Sequence, residues 1–446
     1  MVFLVLLLAA YCLRRASRAS GEPNDSTARS TSGNLNRDSD ARSLSPRSAY
    51  SDQKSAEEIV AAKLVKFSKI RRKFVHALAK RRDVPVPDDV ERFFEAVERG
   101  QWEEIDAAHE ALLLTKDQLN QPRSSELHEI WRPIQETWGA AREAHDWPAQ
   151  RLLDYGDAIL GSLRPGMIFA GGTDPGCFIP TMLNETGDGE RHVVLTQNAL
   201  ADNSYLNYLN FLYGDQISTL TEDDSQLAFQ AYVSDAQKRL EHDQQFPNEP
   251  RQIKPGEDVK VVDGKVQVSG QIAVMAINEK LFQSLMAKNP TTAFAMEESF
   301  PFNSLYSNAR PLGPIIEMGF PDESRPLTAE LAAQSVDYWR TAADQLLADP
   351  SIADGSDPRK AYSKLISSQA GILADHQFNS EAEQAFRIAS EIYPGSPEVT
   401  FRYVNLLTSQ NRLADALQVA ENALKADPGN QQFVSLRNTL TTPKAH

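Results

Sequence analysis

Between Arg164 and Tyr213 the chain twice runs from an apolar stretch into a polar loop and then into a helical pattern, and this rhythm restricts the fold more than any other feature. Arg164-Pro165-Gly166 reads as a turn and Met167–Ala170 as a buried strand. Gly171-Gly-Thr-Asp-Pro-Gly176 is the loop after it, and a helix opens from Cys177 to Leu183. His192–Thr196 is a second strand, Gln197–Asn203 its loop and Ser204–Tyr213 its helix. Two strand-loop-helix units in succession predict strands running parallel with helices packed over them. A long helix, Gln226–Glu241, follows the acidic start Thr221–Ser225, with Leu227, Phe229, Tyr232 and Val233 expected inward. Asp263-Gly264 between Val259–Val262 and Lys265–Val268 is a hairpin signal. Helix Ile272–Met286, strand Thr292–Glu297, loop Glu298–Phe302 and a last strand Ile315–Met318 complete a third unit. The expected class is α/β, with a Rossmann-like parallel sheet covered by helices over residues 164–322.

Ligands of such sheets bind at the carboxyl ends of the strands, where glycines admit a close backbone approach and helix amino termini favour anions. The candidate ligand-binding residues are therefore Gly171, Gly172, Thr173, Asp174 and Gly176 at one strand end, Thr196, Asn198 and Asp202 at the next, and Glu297 at a third. The loop matches neither GxGxxG nor GxxxxGK[ST], whose lysine is missing. Asp174 can serve chemistry, or it can cap the helix that follows. A carboxylate pair between Asp174 and Glu297 or Glu298 would be usable for acid–base work. Two cysteines, Cys12 and Cys177, exclude a disulfide framework and a cysteine-rich zinc site. The eight histidines are scattered without His-Glu-x-x-His, so no metal and no cofactor is expected.

The amino end differs in kind. Val2–Leu13 is apolar throughout, within an anchor or signal segment 1–19. Twelve helical residues reach about 18 Å against a bilayer core of about 30 Å, so the run is short for a span. Arg14, Arg15 and Arg18 follow the run instead of preceding it, unlike a standard signal peptide. A short anchor, an atypical signal and the tail of a longer span all remain open. Residues 20–55 hold ten serines without apolar periodicity and read as a tether. From Ala56 a basic amphipathic helix is expected over 56–82, able to lie on anionic lipid or to dock on an acidic body with its lysines solvated. Asp88-Asp89 is positioned to cap the helix Val90–Arg99, which Gly100 ends, and helices at Trp102–Leu113, Ser124–Ala144 and Trp147–Leu163 complete a helical segment 56–163. The formal charge of −15 is uneven. Residues 1–82 carry 17 basic against 7 acidic side chains, and the other 364 carry 29 against 54. A strongly acidic body argues against nucleic-acid binding.

In residues 363–430 a second register of 34 can be laid on the first. Ala382, Phe386, Ala389 and Pro394 then fall on Ala416, Ala420, Ala423 and Pro428. Small residues let antiparallel helices approach and the prolines end the second helix of each pair. The pattern resembles tetratricopeptide (TPR) repeats, which build concave protein-binding surfaces, within a helical region 323–446. Ala382, Ala389, Pro394, Ala416, Ala420, Ala423 and Pro428 are the expected packing positions.

Over residues 150–435 the order of segments resembles the soluble carboxyl part of an uncharacterised bacterial membrane-protein family related to protein O-mannosyltransferases, which often ends in tetratricopeptide repeats. The stretches concerned are Ile168-Phe-Ala-Gly-Gly-Thr-Asp174, His192-Val-Val-Leu-Thr-Gln-Asn198, Tyr205-Leu-Asn-Tyr-Leu209, Ile272–Ile277, Thr292–Glu297 and Gly313–Met318. Only Asp174 carries over from the family's Asp/Asn-rich loop, and the multi-span part where sugar transfer would occur is absent from this sequence. The resemblance implies an accessory domain of envelope glycosylation outside the cytoplasm, in the periplasm. The expected function is a non-catalytic interaction protein, tethered at the cell envelope and engaging a protein partner through the repeats. The alternative is an enzyme or ligand binder that uses the 171–176 loop for a phosphorylated or glycosyl substrate.

Overall fold

The computed structural model describes residues 54–117, 125–254, 256–262, 264–320 and 325–442. The apolar run Val2–Leu13, the anchor 1–19 and all of the serine-rich tether but its last two residues lie outside them. Among the described residues no helix is long and apolar enough to cross a membrane.

Five helices come first: α1 (Ala56–Arg82), α2 (Asp88–Arg99), α3 (Trp102–Asp117), α4 (Ser125–Asp146) and α5 (Ala149–Ser162). The apolar face of α1, with Val60, Leu64, Phe67, Val75 and Leu78 buried, packs mainly on α4 and also on α2 and α5. Arg71 lies on that buried face beside Glu136 of α4, with its Nε 2.6 Å from a carboxylate oxygen. Burial disfavours the Arg71 charge, but Glu136 and Glu185 outweigh it and raise its pKa. Gly100 ends α2 in the left-handed conformation at φ +77°, donating to Ala96 and Val97 carbonyls. Asp88 and Asp89 do not cap α2. The cap position is Pro87, which has no side-chain acceptor, and both aspartates lie inside the first turn, where negative charge is still favoured.

The central sheet has the order β2-β1-β5-β7-β6. Its strands are β1 (Ile168–Gly171), β2 (Val193–Thr196), β5 (Phe294–Met296), β6 (Arg310–Leu312) and β7 (Ile315–Met318). The α/β class holds, but the sheet is mixed, not parallel: β2, β1 and β5 run parallel, while β7 is antiparallel to both β5 and β6. The cause is the two-residue turn Gly313-Pro314, with Gly313 at φ +55°. It folds β7 straight back between β6 and β5, where a parallel return would need a crossover of a dozen residues or more. Pro311, which has no N–H to give, sits on the edge strand β6. Every residue of β1, β5 and β7 is buried, as in a sheet covered on both faces. Helix α6 (Asp174–Thr186) packs on β1 and β2, while α10 (Ala329–Leu347) and α11 (Asp357–Asp375) pack on the β6–β7 side.

Between β2 and β5 come α7 (Asn203–Tyr213), α8 (Glu222–Gln245), the hairpin β3 (Asp258–Val262) and β4 (Lys265–Ser269), and α9 (Gln271–Lys288). The hairpin has the expected register, Val262 opposite Lys265. Leu227 is 63% exposed, not inward. The buried stripe of α8 is Ala228, Tyr232 and Ala236, spaced by four, and Leu227 stands one residue off it.

Helices α12 (Asn379–Ile392), α13 (Pro397–Ser409), α14 (Leu413–Ala426) and α15 (Gln431–Thr441) continue from α11 as antiparallel hairpins. The 34-residue spacing holds in the backbone for one pair of helices and the turns before them. α12 and α14 start and end 34 residues apart. The turns that precede them hold Gln377 at φ +67° and Asn411 at φ +61°. Phe378 N donates to the Leu373 carbonyl, and Arg412 N to that of Leu407. Ala382, Ala389, Ala416, Ala420 and Ala423 are all buried, and Pro394 and Pro428 each follow two residues after a helix.

Candidate functional site

Residues of β1 and β5 bring the glycine loop and Glu297 together. Glu297 N donates to Ala170 O at 2.9 Å, which fixes the backbone just beyond β5 beside β1. The Glu297 carboxylate then turns onto the loop. Its Oε2 accepts from Gly172 N and Thr173 N, both at 2.7 Å, and its Oε1 from Thr173 Oγ1 at 2.9 Å. Thr173 Oγ1 in turn caps α6, accepting from Gly176 N at 3.1 Å. The helix therefore begins at Asp174, ahead of the expected Cys177. A Cβ at Gly176 would lie 2.1 Å from Glu297 Oε2, and one at Gly172 would lie 2.2 Å from Ser299 N. These glycines admit the chain's own carboxylate and backbone. The two amides that an external anion would use are occupied from within. Burial raises the Glu297 pKa, and the hydrogen bonds from Thr173 and Gly172 offset only part of that rise.

The other candidates diverge from this cluster. Asp174 pairs with Arg142 Nη2 at 2.6 Å, and that guanidinium also lies over the Trp138 ring and donates to Glu143 at 3.1 Å. Burial is the main reason that the Glu143 carboxyl is pushed up to about 7, with Arg142 opposing and Asp174 adding to the rise. Asp202 caps α7, accepting from Ser204 N at 2.9 Å, and pairs with Arg132. Asp174 and Asp202 thus both turn to arginines of α4. Thr196, opposite Gly171 in the sheet, donates its N–H to the Tyr205 hydroxyl at 2.6 Å. Asn198 is half-buried in the turn after β2, and its side chain bonds to no other described residue. Its neighbour Gln197, which the sequence reading passed over, is fully buried. The Gln197 carboxamide accepts from Ser299 N at 2.7 Å and donates to Phe300 O at 2.8 Å, so it anchors the loop after β5. Among the described residues no group of three or more His, Cys, Asp or Glu is placed to hold a metal ion.

Glu298 turns the other way, toward the carboxyl-terminal helices. It accepts from Arg402 Nη2 of α13 at 2.6 Å, from Ser368 Oγ of α11 at 2.9 Å and from the Tyr306 hydroxyl. Burial works against its charge, but Arg402 and Lys364 outweigh burial and hold the carboxyl below its usual range. Lys364 Nζ of α11 binds Ser299 O at 3.1 Å and Glu398 at 2.5 Å. The loop after β5 is therefore fastened to α11 and α13, and a groove of about 640 Å³ opens beside this junction. Its walls are the loop from Pro301 to Tyr306 and the facing ends of α11, α12 and α13. Asn303, Gln377, Asn379 and Asn405 line it, and none of their carboxamides bonds to another described residue. Arg402 and Asp375 supply charge of both signs. Gln377, in the left-handed turn between α11 and α12, stands at its rim.

Comparison of the chain with protein-family models, with curated proteins and with solved structures found no match.

Proposed function

We propose that the protein is a non-catalytic interaction protein that holds an extended polypeptide in the groove between the Pro301–Tyr306 loop and α11–α13. The observation that carries this reading is the set of unpartnered carboxamides, Asn303, Gln377, Asn379 and Asn405, along one groove. A carboxamide both donates and accepts, so a row of them complements the N–H and C=O groups of an extended main chain with little regard to its sequence. The helical hairpins support the reading as well. We take them as tetratricopeptide-like, on the 34-residue spacing and the buried alanines, and take the β2-β1-β5 part of the sheet as Rossmann-like. The resemblance noted in the sequence, with the apolar Val2–Leu13 run, favours work at the cell envelope, with the body in the periplasm and a link to envelope glycosylation. The alternative, a phosphorylated or glycosyl ligand at Gly171–Gly176, is disfavoured because the Glu297 carboxylate takes the Gly172 and Thr173 amides that would receive it.

Random dodecapeptides displayed and selected against the immobilised full chain test the proposal. Replacing Asn379 and Asn405 together by Leu removes two sets of hydrogen bonds at the surface. It should weaken the selected peptides by about tenfold or more without lowering the melting temperature. Peptides that bind the double variant as well as the wild type, or that are lost on Asp174→Ala instead, would overturn it.

A further inference from the structure

Helix α1 carries a second surface. Lys66, Lys69, Lys73 and Lys80 are all exposed. At 100° per residue they fall within about 60° of the helix circumference, along about 21 Å of its length. Val60, Leu64, Phe67, Arg71, Val75 and Leu78 are buried on the opposite side against the body. His76 lies on the same exposed strip and pairs with Glu91 at 2.9 Å, while Arg72 turns to Glu91 and Glu98 of α2. Lys66 gives one hydrogen bond to the Thr186 carbonyl at 3.0 Å. Lys69, Lys73 and Lys80 make no ion pair or hydrogen bond with another described residue. The other exposed residues on or beside this strip are Glu58, Ala62, His76 and Ala77, so it has nothing bulky and apolar to insert.

A row of four exposed lysines along one helix, three of them without an ion pair or hydrogen bond to another described residue, stands out on a chain with a formal charge of −15. We propose that this face of α1 docks the folded body on an anionic membrane surface, by charge and without insertion. A planar layer of lipid headgroups needs only one line of contact, which a convex helix offers. A nucleic-acid duplex would bring its phosphates against the acidic remainder of the body, where 29 basic side chains face 54 acidic ones. The apolar Val2–Leu13 run lies in the same chain and would hold α1 near such a surface. The inference rests on the reading that the chain works at an envelope membrane, and not on the occupant of the groove.

Co-sedimentation of the full chain with vesicles tests it. One set is pure phosphatidylcholine and the other contains about one-third phosphatidylglycerol. The apolar amino end contributes to both sets, so the readout is the ratio of the two partition constants. The wild type should prefer the anionic vesicles by about tenfold or more, and the preference should fall steeply with salt. Changing Lys66, Lys69, Lys73 and Lys80 together to Gln should bring the ratio within about twofold of one, with the circular dichroism melt unchanged. Changing the exposed Lys238, Lys265, Lys360 and Lys425 to Gln removes the same charge and should leave the ratio as it was. A wild type without preference, or a control variant that loses as much as the α1 variant, would overturn the proposal. So would a lysine-dependent affinity for duplex DNA that exceeds that for anionic vesicles. None of these outcomes reads peptide binding, so the groove stands or falls by its own experiment.

Discussion

Glu298 and Arg402 meet at 2.6 Å, the carboxylate following β5 and the guanidinium projecting from α13. Arg402 keeps about a fifth of its side chain exposed at the groove, but the Glu298 carboxylate cannot turn to water in its place. Glu298 is fully buried, and Tyr306 and Ser368 complete its hydrogen bonds. Removing Arg402 leaves a buried carboxylate without its strongest partner, which costs about 3–5 kcal/mol in comparable pairs. Arg402→Leu should therefore lower stability by that order in urea denaturation, and a change below about 1 kcal/mol would refute the role. Because the folded-state pKa of Glu298 is lowered, its contribution is present above the unfolded value, near 4.5, and is lost as pH falls through the folded value. The difference between wild type and Glu298→Gln should be flat at neutral pH and shrink in acid.

Glu143 behaves in the opposite sense. Its carboxyl is raised from 4.5 to about 7, chiefly by burial, so the native state binds more protons than the unfolded chain between these values. Stability contributed at this position therefore falls as pH rises from about 4.5 to 7, by about 3 kcal/mol for a shift of this size. Glu143→Gln should remove that slope. Denaturation midpoints of the two proteins should converge at pH 4.5 and separate by pH 7 in favour of the variant, and parallel profiles would contradict this.

Glu297 holds two amides and a hydroxyl at the head of α6. Glu297→Ala leaves the buried Gly172 N without an acceptor, at about 1–3 kcal/mol, and the half-buried Thr173 N at less. The same cavity is then shaped for a small carboxylate, so formate should restore part of the lost melting temperature while chloride at equal ionic strength should not. Gly176→Ala should be destabilising for the same geometric reason, since its Cβ would fall on the carboxylate.

The left-handed turns at Gln377 and Asn411 admit a simple comparison. Valine is a poor occupant of this conformation, and Gln377→Val or Asn411→Val should cost about 1–3 kcal/mol each. Glycine at either position should be neutral or slightly stabilising. Equal effects of valine and glycine, measured by thermal melts, would show that the turns are not strained.

Local signals carried much of the fold. The Asp263-Gly264 hairpin, the helix stop at Gly100 and the 34-residue period all depend on residues close in sequence, and all three are present. The antiparallel half of the sheet was hidden because its cause is one two-residue turn inside Pro311-Leu-Gly-Pro314, which as a sequence reads equally well as a loop. The candidate site was legible only in its composition. Gly171, Gly172, Thr173, Gly176 and Glu297 do converge, but the partner that fills the loop stands 124 residues from Thr173. No spacing rule announces a contact of that range. Asp174 and Asp202 were drawn away by Arg142 and Arg132, and nothing in the helical pattern of α4 marks those two arginines for pairing. The groove depends on Asn303, Asn379 and Asn405 from three separate elements, which no single stretch of sequence displays together.

Hydrogen exchange of the full chain with and without a selected peptide shows where the bound polypeptide lies. A peptide seated in the groove gives new protection in the Pro301–Tyr306 loop, at the α11–α12 corner around Gln377 and along α13 from Arg402 to Ser409, with the Gly171–Gly176 loop unchanged. Protection confined to Gly171–Gly176 and Asn198, with the groove unaltered, would contradict it.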